Sequence, residues 1–301
     1  MRTNEEASSK KSFDYYLAEL GYFLANKLPV NVSYSIGSSA GDIMYSFWHR
    51  GRQNMIQSIS KIACSDINKE DINRTARTCM RNYGKLIVDT LRYARADDRF
   101  FETNFELEGL HNLDVALEKK KGVILVGFHV GNLDLGPRLL SKKGYPVNAV
   151  VRHLGSKGID AFLQGARVNS GIKLIDAGTP SKRITDVLRN NEILALMLDS
   201  PKCEKGVKVK LGTHCVKIPS GASILSLRTG ATIIPSVLVR TSNTTFKGEL
   251  GKQVNSISSG RMVDDIHDLT QRTISAMEAM IKPYKDQWYV FHPLFADSAT
   301  K

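Results

Sequence analysis

The chain has 301 residues, of which 42% are hydrophobic and 24% charged, and a formal net charge of +12. That length and balance suit a folded chain with a well-buried core and exclude disorder of the whole. The excess of basic residues calls for an anionic partner (nucleic acid, lipid headgroups or a phosphate-bearing substrate), and charge alone does not choose among them.

The N-terminal stretch MRTNEEASSKKSFDYY lacks the uninterrupted apolar core of a signal peptide. No apolar run approaches the ~18 residues of a spanning helix, so the chain is expected to be cytoplasmic or to lie on a membrane rather than cross one. From Phe13 the apolar positions are Phe13, Tyr16, Leu17, Leu20, Phe23, Leu24 and Leu28, the spacing of an amphipathic helix ended by Pro29, with Lys10 and Lys11 at its entry. Such a face lies either in a bilayer interface or against the rest of the domain, and one helix does not distinguish a lipid from a core. Helices are also expected over 34–48, 51–63 and 69–95, so residues 1–100 read as a helical N-terminal extension. Residues 101–301 read as one α/β unit.

Beyond Phe105 apolar strands alternate with helices. The strands are GVILVGF (122–128), PVNAVV (146–151), IKLI (172–175) and ILALML (193–198). The helices between them are Leu133 to Lys142, Gly158 to Asn169 and Ser181 to Asn190. This alternation predicts an α/β fold with a mainly parallel central sheet covered by helices on both faces. Val207 to Ile218 reads as an extended excursion, Ser220 to Arg228 as a helix, and 231–240 as a strand. TFKGEL (245–250) pairs antiparallel, and Asp264 to Lys282 is a long closing helix.

The four cysteines, Cys64, Cys79, Cys203 and Cys215, form no CxxC pair and no zinc-like spacing. Cys203, His214 and Cys215 lack a fourth ligand. Free thiols are expected, with no metal and no cofactor.

The segment that carries chemistry is GVILVGFHVGNLDLG (122–136). His129 follows directly on an apolar strand, Gly131 and Asn132 make a tight turn, and Asp134 enters the next helix. Sites in parallel α/β sheets lie at the carboxyl ends of strands. A carboxylate on one imidazole nitrogen fixes the tautomer and makes the other nitrogen a stronger base. The spacing therefore suggests His129 as general base with Asp134 as its partner. The bland alternative is a capped helix after a strand, with His129 an ordinary half-buried residue. Asp199, ending the strand 193–198, is expected either to position substrate or to cap the next loop.

HVGNLD (129–134) resembles the HxxxxD/E motif of the lysophospholipid and lipid A acyltransferase superfamily. Four further stretches, in the same order, resemble the bacterial lauroyl (lipid A) acyltransferases and the related phosphatidylinositol mannoside acyltransferases. These are AVVRHLGSKGIDAFLQGARVNSGIKLI (149–175), ILALMLDS (193–200), PSGASILSLRTGATIIPSVLVR (219–240) and PYKDQWY (283–289). The likeness runs from about residue 15 to 292, and it is the five matches in order that make it specific. It implies transfer of an acyl chain from acyl-CoA or acyl-carrier protein to a hydroxyl of a membrane glycolipid or other lipid-linked acceptor. The enzyme would sit peripherally on the cytoplasmic face, drawn to an anionic membrane surface. Catalysis would fall to His129 and Asp134, and substrate binding to Arg152, Arg167, Asn132 and Asp199, with the two arginines suited to phosphate through their bidentate fork. Lys202, Lys205, Lys208 and Lys210 would face anionic headgroups or a carrier protein, or simply water.

Departures matter too. Aspartate stands at 134 where the lipid A enzymes usually have glutamate, and Leu133 where an aromatic is common. The FPEGT motif of glycerol-phosphate acyltransferases gives way to LDSPKC (198–203), which argues against a glycerol-phosphate acceptor. The competing reading is a non-catalytic basic protein that binds anionic lipid or nucleic acid. No helix-turn-helix, zinc-finger or aromatic RNA-binding signature supports it, and no nucleic-acid partner is expected. A serine hydrolase built on Ser220 or Ser223 fails for want of a GxSxG elbow after a strand, and a dinucleotide enzyme for want of GxGxxG.

Overall fold

The structure, a computed structural model, describes residues 12–62, 68–153, 155–200 and 206–295. Cys64, Cys203, Lys10, Lys11, Lys202 and Lys205 lie outside them. Four helices come first: α1 (Phe13–Lys27), α2 (Val30–Phe47), α3 (His49–Ile62) and α4 (Lys69–Arg92). A short α5 (Asp98–Thr103), strand β1 (Phe105–Glu108) and α6 (Leu110–Glu118) follow. Then come β2 (Val123–Gly127), α7 (Leu135–Lys142), β3 (Val147–Val151), α8 (Lys157–Asn169), β4 (Lys173–Asp176), α9 (Ser181–Arg189) and β5 (Ile193–Met197). The chain closes with β6 (Gly206–Leu211), β7 (His214–Pro219), α10 (Gly221–Thr229), β8 (Thr232–Arg240), β9 (Phe246–Leu250), α11 (Met262–Ile281) and a 3-10 turn, Lys282–Gln287.

Seven strands form one sheet in the order β1-β9-β8-β2-β5-β3-β4, and β6 and β7 form a separate antiparallel hairpin. Strands β8, β2, β5, β3 and β4 run parallel; β9 turns back antiparallel to β8, and β1 is parallel to β9. The expected mainly parallel α/β sheet is the sheet observed. Its central strand explains why the apolar run of β2 is continuous rather than alternating. Ile124, Val126 and Phe128 enter one core with Leu269, Ile274 and Met277 of α11. Val123 and Leu125 enter another with Leu113 and Ala116 of α6 and Leu140 of α7. A strand buried on both faces needs apolar side chains at every position.

The elements at 98–118, α5, β1 and α6, are additions to the sequence expectation. At the other end, α1 packs inward through its small and tyrosine side: Ala18, Tyr15 and Tyr22 meet Phe162 and Leu163 of α8. Its large apolar residues point the other way. Phe13 is 80% exposed, and Tyr16, Leu17, Leu20, Phe23 and Leu24 are all exposed beside it. Among the described residues the apolar stripe does not pack on the core. Among the described residues no helix is long and apolar enough to cross a membrane.

Candidate active site

Register fixes the site. Gly127, the last residue of β2, pairs with Met197, the last of β5. Two residues further on each chain stand His129 and Asp199, so parallel neighbours bring an imidazole and a carboxylate together across a strand gap of ~4.8 Å. His129 Nδ1 lies 2.7 Å from Asp199 Oδ1, and the His129 backbone N–H donates to Oδ2 at 2.8 Å. The indole Nε1–H of Trp288 donates to the same Oδ2 at 3.0 Å. Asp199 is fully buried, 0% exposed, and its three donors hold it as a carboxylate. Burial alone would raise its pKa, but the charge and hydrogen bonds of His129, with help from Trp288, keep it below the usual carboxylate value. Burial alone would lower His129; the Asp199 charge and hydrogen bond outweigh that and hold the imidazole above its ordinary value. With Nδ1–H committed to the carboxylate, Nε2 carries the lone pair. The ring is 36% exposed and Nε2 has no partner among the described residues.

The pairing of His129 with Asp134 is therefore corrected: among the described residues no hydrogen bond or ion pair joins them. The turn between them is the cause. Gly131 adopts φ +64°, where a Cβ would collide with the carbonyl oxygen of Leu238 in β8. The chain swings past the strand ends, and Asp134 enters α7 facing α8. Its Oδ1 accepts from Arg167 Nε at 2.7 Å and Nη2 at 2.6 Å. Asp134 occupies the N-cap position of α7 without capping it.

Neighbours hold the turn at every step. Tyr289 N–H donates to His129 O at 2.7 Å, Gly131 N–H to Gln287 O at 2.9 Å, and Asn132 N–H to Leu238 O at 2.8 Å. Gln287 also spans Arg240 by side chain, accepting from its N–H and donating to its carbonyl. Asn132, expected to touch substrate, is buried and occupied. Its Oδ1 caps Leu135 N–H and its Nδ2 donates to Asp89 Oδ2 at 3.2 Å. Asp89 in turn takes the Tyr34 hydroxyl at 2.6 Å and pairs with Arg240. Asp199, also expected to position substrate, is sealed behind His129. Of the remaining expected substrate contacts, Arg167 is engaged by Asp134, while Arg152 is exposed with no partner among the described residues. Beside Arg152, His153 Nδ1 lies 3.1 Å from Asp160 Oδ2.

Gln287 and Trp288 lie in the PYKDQWY match, without a role expected of either, and Asp89 and Arg240 were not singled out from the sequence. The one available signal for the dyad was that β2 and β5 each end an apolar run on a titratable residue; which strands are neighbours is not written in either.

At the ends of the two strands that carry the dyad lies an apolar cavity. Gly127 and Met197 line it at the ends of β2 and β5, Leu133 and Gly136 at the turn and α7, and Leu238 and Leu250 from β8 and β9. On the opposite side of the turn, buried Arg138 donates to Tyr93 O at 2.7 Å, and burial depresses its pKa to about 10.

The α/β sheet thus carries a histidine–carboxylate pair at its carboxyl edge, with an apolar cavity lined by the ends of the same two strands. The profile of the bacterial lipid A biosynthesis acyltransferases matches residues 4–297, and the chain belongs to that family. Membership makes it an acyltransferase of lipid biosynthesis. A phosphatidylinositol mannoside acyltransferase of Mycobacterium tuberculosis is 23% identical over 224 residues, covering 71% of this chain and 68% of that one. The lipid A biosynthesis palmitoleoyltransferase of Escherichia coli is 24% identical over 217 residues, covering 71% and 70%. A solved 1-acyl-sn-glycerophosphate acyltransferase from Thermotoga maritima overlays with a TM-score of 0.36 at 9% identity, covering 88% of this chain and 97% of that one, a likeness too slight to argue from.

Proposed function

We propose that the protein transfers a fatty acyl chain from an acyl thioester, acyl-CoA or acyl-carrier protein, to a hydroxyl of a membrane glycolipid or other lipid-linked acceptor. The observation that carries this reading is the His129–Asp199 pair, with Nε2 unpartnered among the described residues and an apolar cavity lined by Gly127 and Met197, two residues before the pair on the same strands. The acceptor hydroxyl gives its proton to Nε2 as its oxygen attacks the thioester carbonyl. The imidazolium that forms is stabilised by the buried Asp199 carboxylate. When the tetrahedral intermediate collapses, the C–S bond breaks and the thiolate leaves with the proton from Nε2. The ester is formed with no covalent enzyme intermediate and no cofactor. The acyl chain occupies the cavity between Gly127, Leu133, Gly136 and Leu238.

Asp134 acts through Arg167. By taking two of its N–H groups, it fixes the guanidinium at the site's edge and leaves Nη1 to face the phosphate of donor or acceptor. Arg152, exposed and unpaired, is the second cation for that phosphate. The exposed stripe of α1 lies in the bilayer interface, where burying a residue such as Phe13 or Phe23 contributes roughly 1.5–3 kcal/mol and each nearby basic residue ~1 kcal/mol. The enzyme thus reaches its acceptor from the surface, on the cytoplasmic face.

The test uses purified protein, acyl-CoA or acyl-carrier protein with a labelled acyl chain, and total membrane lipid. Label should enter a lipid in an ester that hydroxylamine cleaves, and should stop doing so in His129→Ala. Absence of transfer from both donors would remove the reading. The surface contact is tested separately: Phe13, Leu17 and Phe23 replaced by serine should release the protein from anionic liposomes in co-sedimentation, and equal sedimentation of both proteins would place the contact elsewhere.

A further inference from the structure

A second cavity, remote from the first, lies between α2 and α4 and opens to solvent. Its origin is in the sequence SIGSSAGD (35–42). Gly37 packs on Gly84 and Gly41 on Met80 so closely that a Cβ at any of these glycines would overlap the opposing backbone. The helices touch there by backbone alone. The small side chains beside the contact, Ser35, Ser38 and Ser39, leave a hollow that Arg81 and Lys85, one turn apart on α4, line from the other side.

The hollow is polar and positively charged, and its hydrogen-bonding capacity is not used up internally. Ser38 is only 6% exposed, yet its hydroxyl has no partner among the described residues. Lys85 is half-buried and makes no hydrogen bond or ion pair among them; burial, then the charges of Arg240 and Arg81, lower its pKa. Arg240 is committed to Asp89. Arg81 reaches Asp42 only at 3.7 Å, and Asp42 is already held by Arg77 at 2.7 Å, so most of the Arg81 fork is free. Two cations and a serine hydroxyl with no partner among the described residues line one hollow, the donor set for an anion with several oxygens.

The neighbouring surface says where that anion comes from. On α2 the cavity stripe 31, 35, 38 and 39 adjoins the stripe Val32, Ile36, Ile43 and Phe47, all exposed, Phe47 at 79%. A polar hollow bordered by exposed apolar side chains matches a lipid whose headgroup enters the hollow while its chains lie along the helix. We propose that the α2–α4 cavity binds the phosphodiester headgroup of an anionic membrane lipid, with Arg81 and Lys85 on the phosphate and Ser38 and Ser39 on the headgroup oxygens. This rests on the reading that the protein works at a membrane surface. The hollow also communicates with the catalytic turn: its wall residue Tyr34 donates to Asp89, which accepts from Asn132.

The experiment reads Lys85 directly. The full chain is acetylated with an N-hydroxysuccinimide ester, and modification rates are mapped by mass spectrometry. The arms contain monomeric dihexanoylphosphatidylglycerol, dihexanoylphosphatidylcholine, or inorganic phosphate. At several times its Kd the phosphatidylglycerol should slow Lys85 at least ~5-fold, as mass action requires, and leave exposed Lys143 unchanged. Phosphatidylcholine and inorganic phosphate at the same concentration should leave Lys85 near its unprotected rate. Arg81→Gln, at an exposed position whose carboxylate partner Arg77 retains, should abolish the protection. An unchanged Lys85 rate in phosphatidylglycerol, or full protection in Arg81→Gln, would overturn the site. Equal protection by inorganic phosphate would overturn its assignment to a lipid. Because the probes are monomeric, failure of α1 to bind vesicles does not disturb the result, and acyl transfer measured on the same sample separates this site's failure from that of the catalytic reading.

Discussion

Two carboxylates flank the catalytic turn, and they are used in opposite ways. Asp199, at the end of β5, is fully buried, takes three hydrogen bonds and faces the imidazole of His129. Asp134, five residues from His129 in sequence, is partly exposed and faces a guanidinium. The charge of the first is little screened, so it raises the basicity of the histidine; the second is screened by water and serves geometry by holding Arg167 in place. Adjacency in a parallel sheet, rather than adjacency in the chain, selects the partner of His129.

The largest expected effect tests the shared residue. His129→Ala should lower turnover at least ~10²-fold, the usual contribution of a general base, and leave the far-UV circular dichroism spectrum unchanged. Near-normal turnover would end the mechanism. Asp199→Asn should follow, with kcat down on the order of 10–100-fold, since the amide keeps the volume but not the charge that supports the imidazolium. Because Asp199 is also bonded by Trp288, thermal melting should be followed alongside, to separate loss of fold from loss of rate.

Asp134→Asn should be milder and of another kind. It loosens Arg167, so KM for the phosphate-bearing substrate should rise by about tenfold, the equivalent of one charge-assisted hydrogen bond, with kcat less affected. A loss in kcat larger than that of Asp199→Asn would reverse the two roles. The smallest effect concerns chain length. Gly136 lines the apolar cavity, and a Cβ there would meet only Leu238, at 3.7 Å. Gly136→Leu should therefore fit into the empty space and shift preference toward shorter acyl donors by roughly 10-fold or more in kcat/KM, the scale set by a few methylenes. An unchanged donor preference would place the acyl chain outside this cavity.

Much of the fold was legible. The run from β2 to β5 follows from apolar strands alternating with amphipathic helices, and the antiparallel return of β9 was read as well. Residues 98–118 were not read, because a six-residue helix and a four-residue strand are too short to establish a period. At the site, His129, Asp134, Arg167 and Asp199 were picked out from the sequence, but which of them pair was not. The sequence puts Asp134 nearest His129, whereas the pairing depends on β5 lying beside β2, although β3 and β4 intervene in the chain. Trp288 and Gln287 close the site from the far C-terminal end, a contact that no local pattern contains. The outward face of α1 was visible as a stripe; only packing decided which way it points.

The claim that Asp199, and not Asp134, sets the basicity of His129 is tested most directly by the pH dependence of kcat/KM. His129 must be neutral to accept a proton, so activity rises with pH through its pKa. The Asp199 charge outweighs burial and holds that pKa above the ordinary 6.5, and without it burial alone remains. The account predicts an acidic limb with its midpoint above 6.5 in the wild type, a midpoint below 6.5 in Asp199→Asn, and an unmoved midpoint in Asp134→Asn. A midpoint that moves with Asp134→Asn and stays with Asp199→Asn would contradict it.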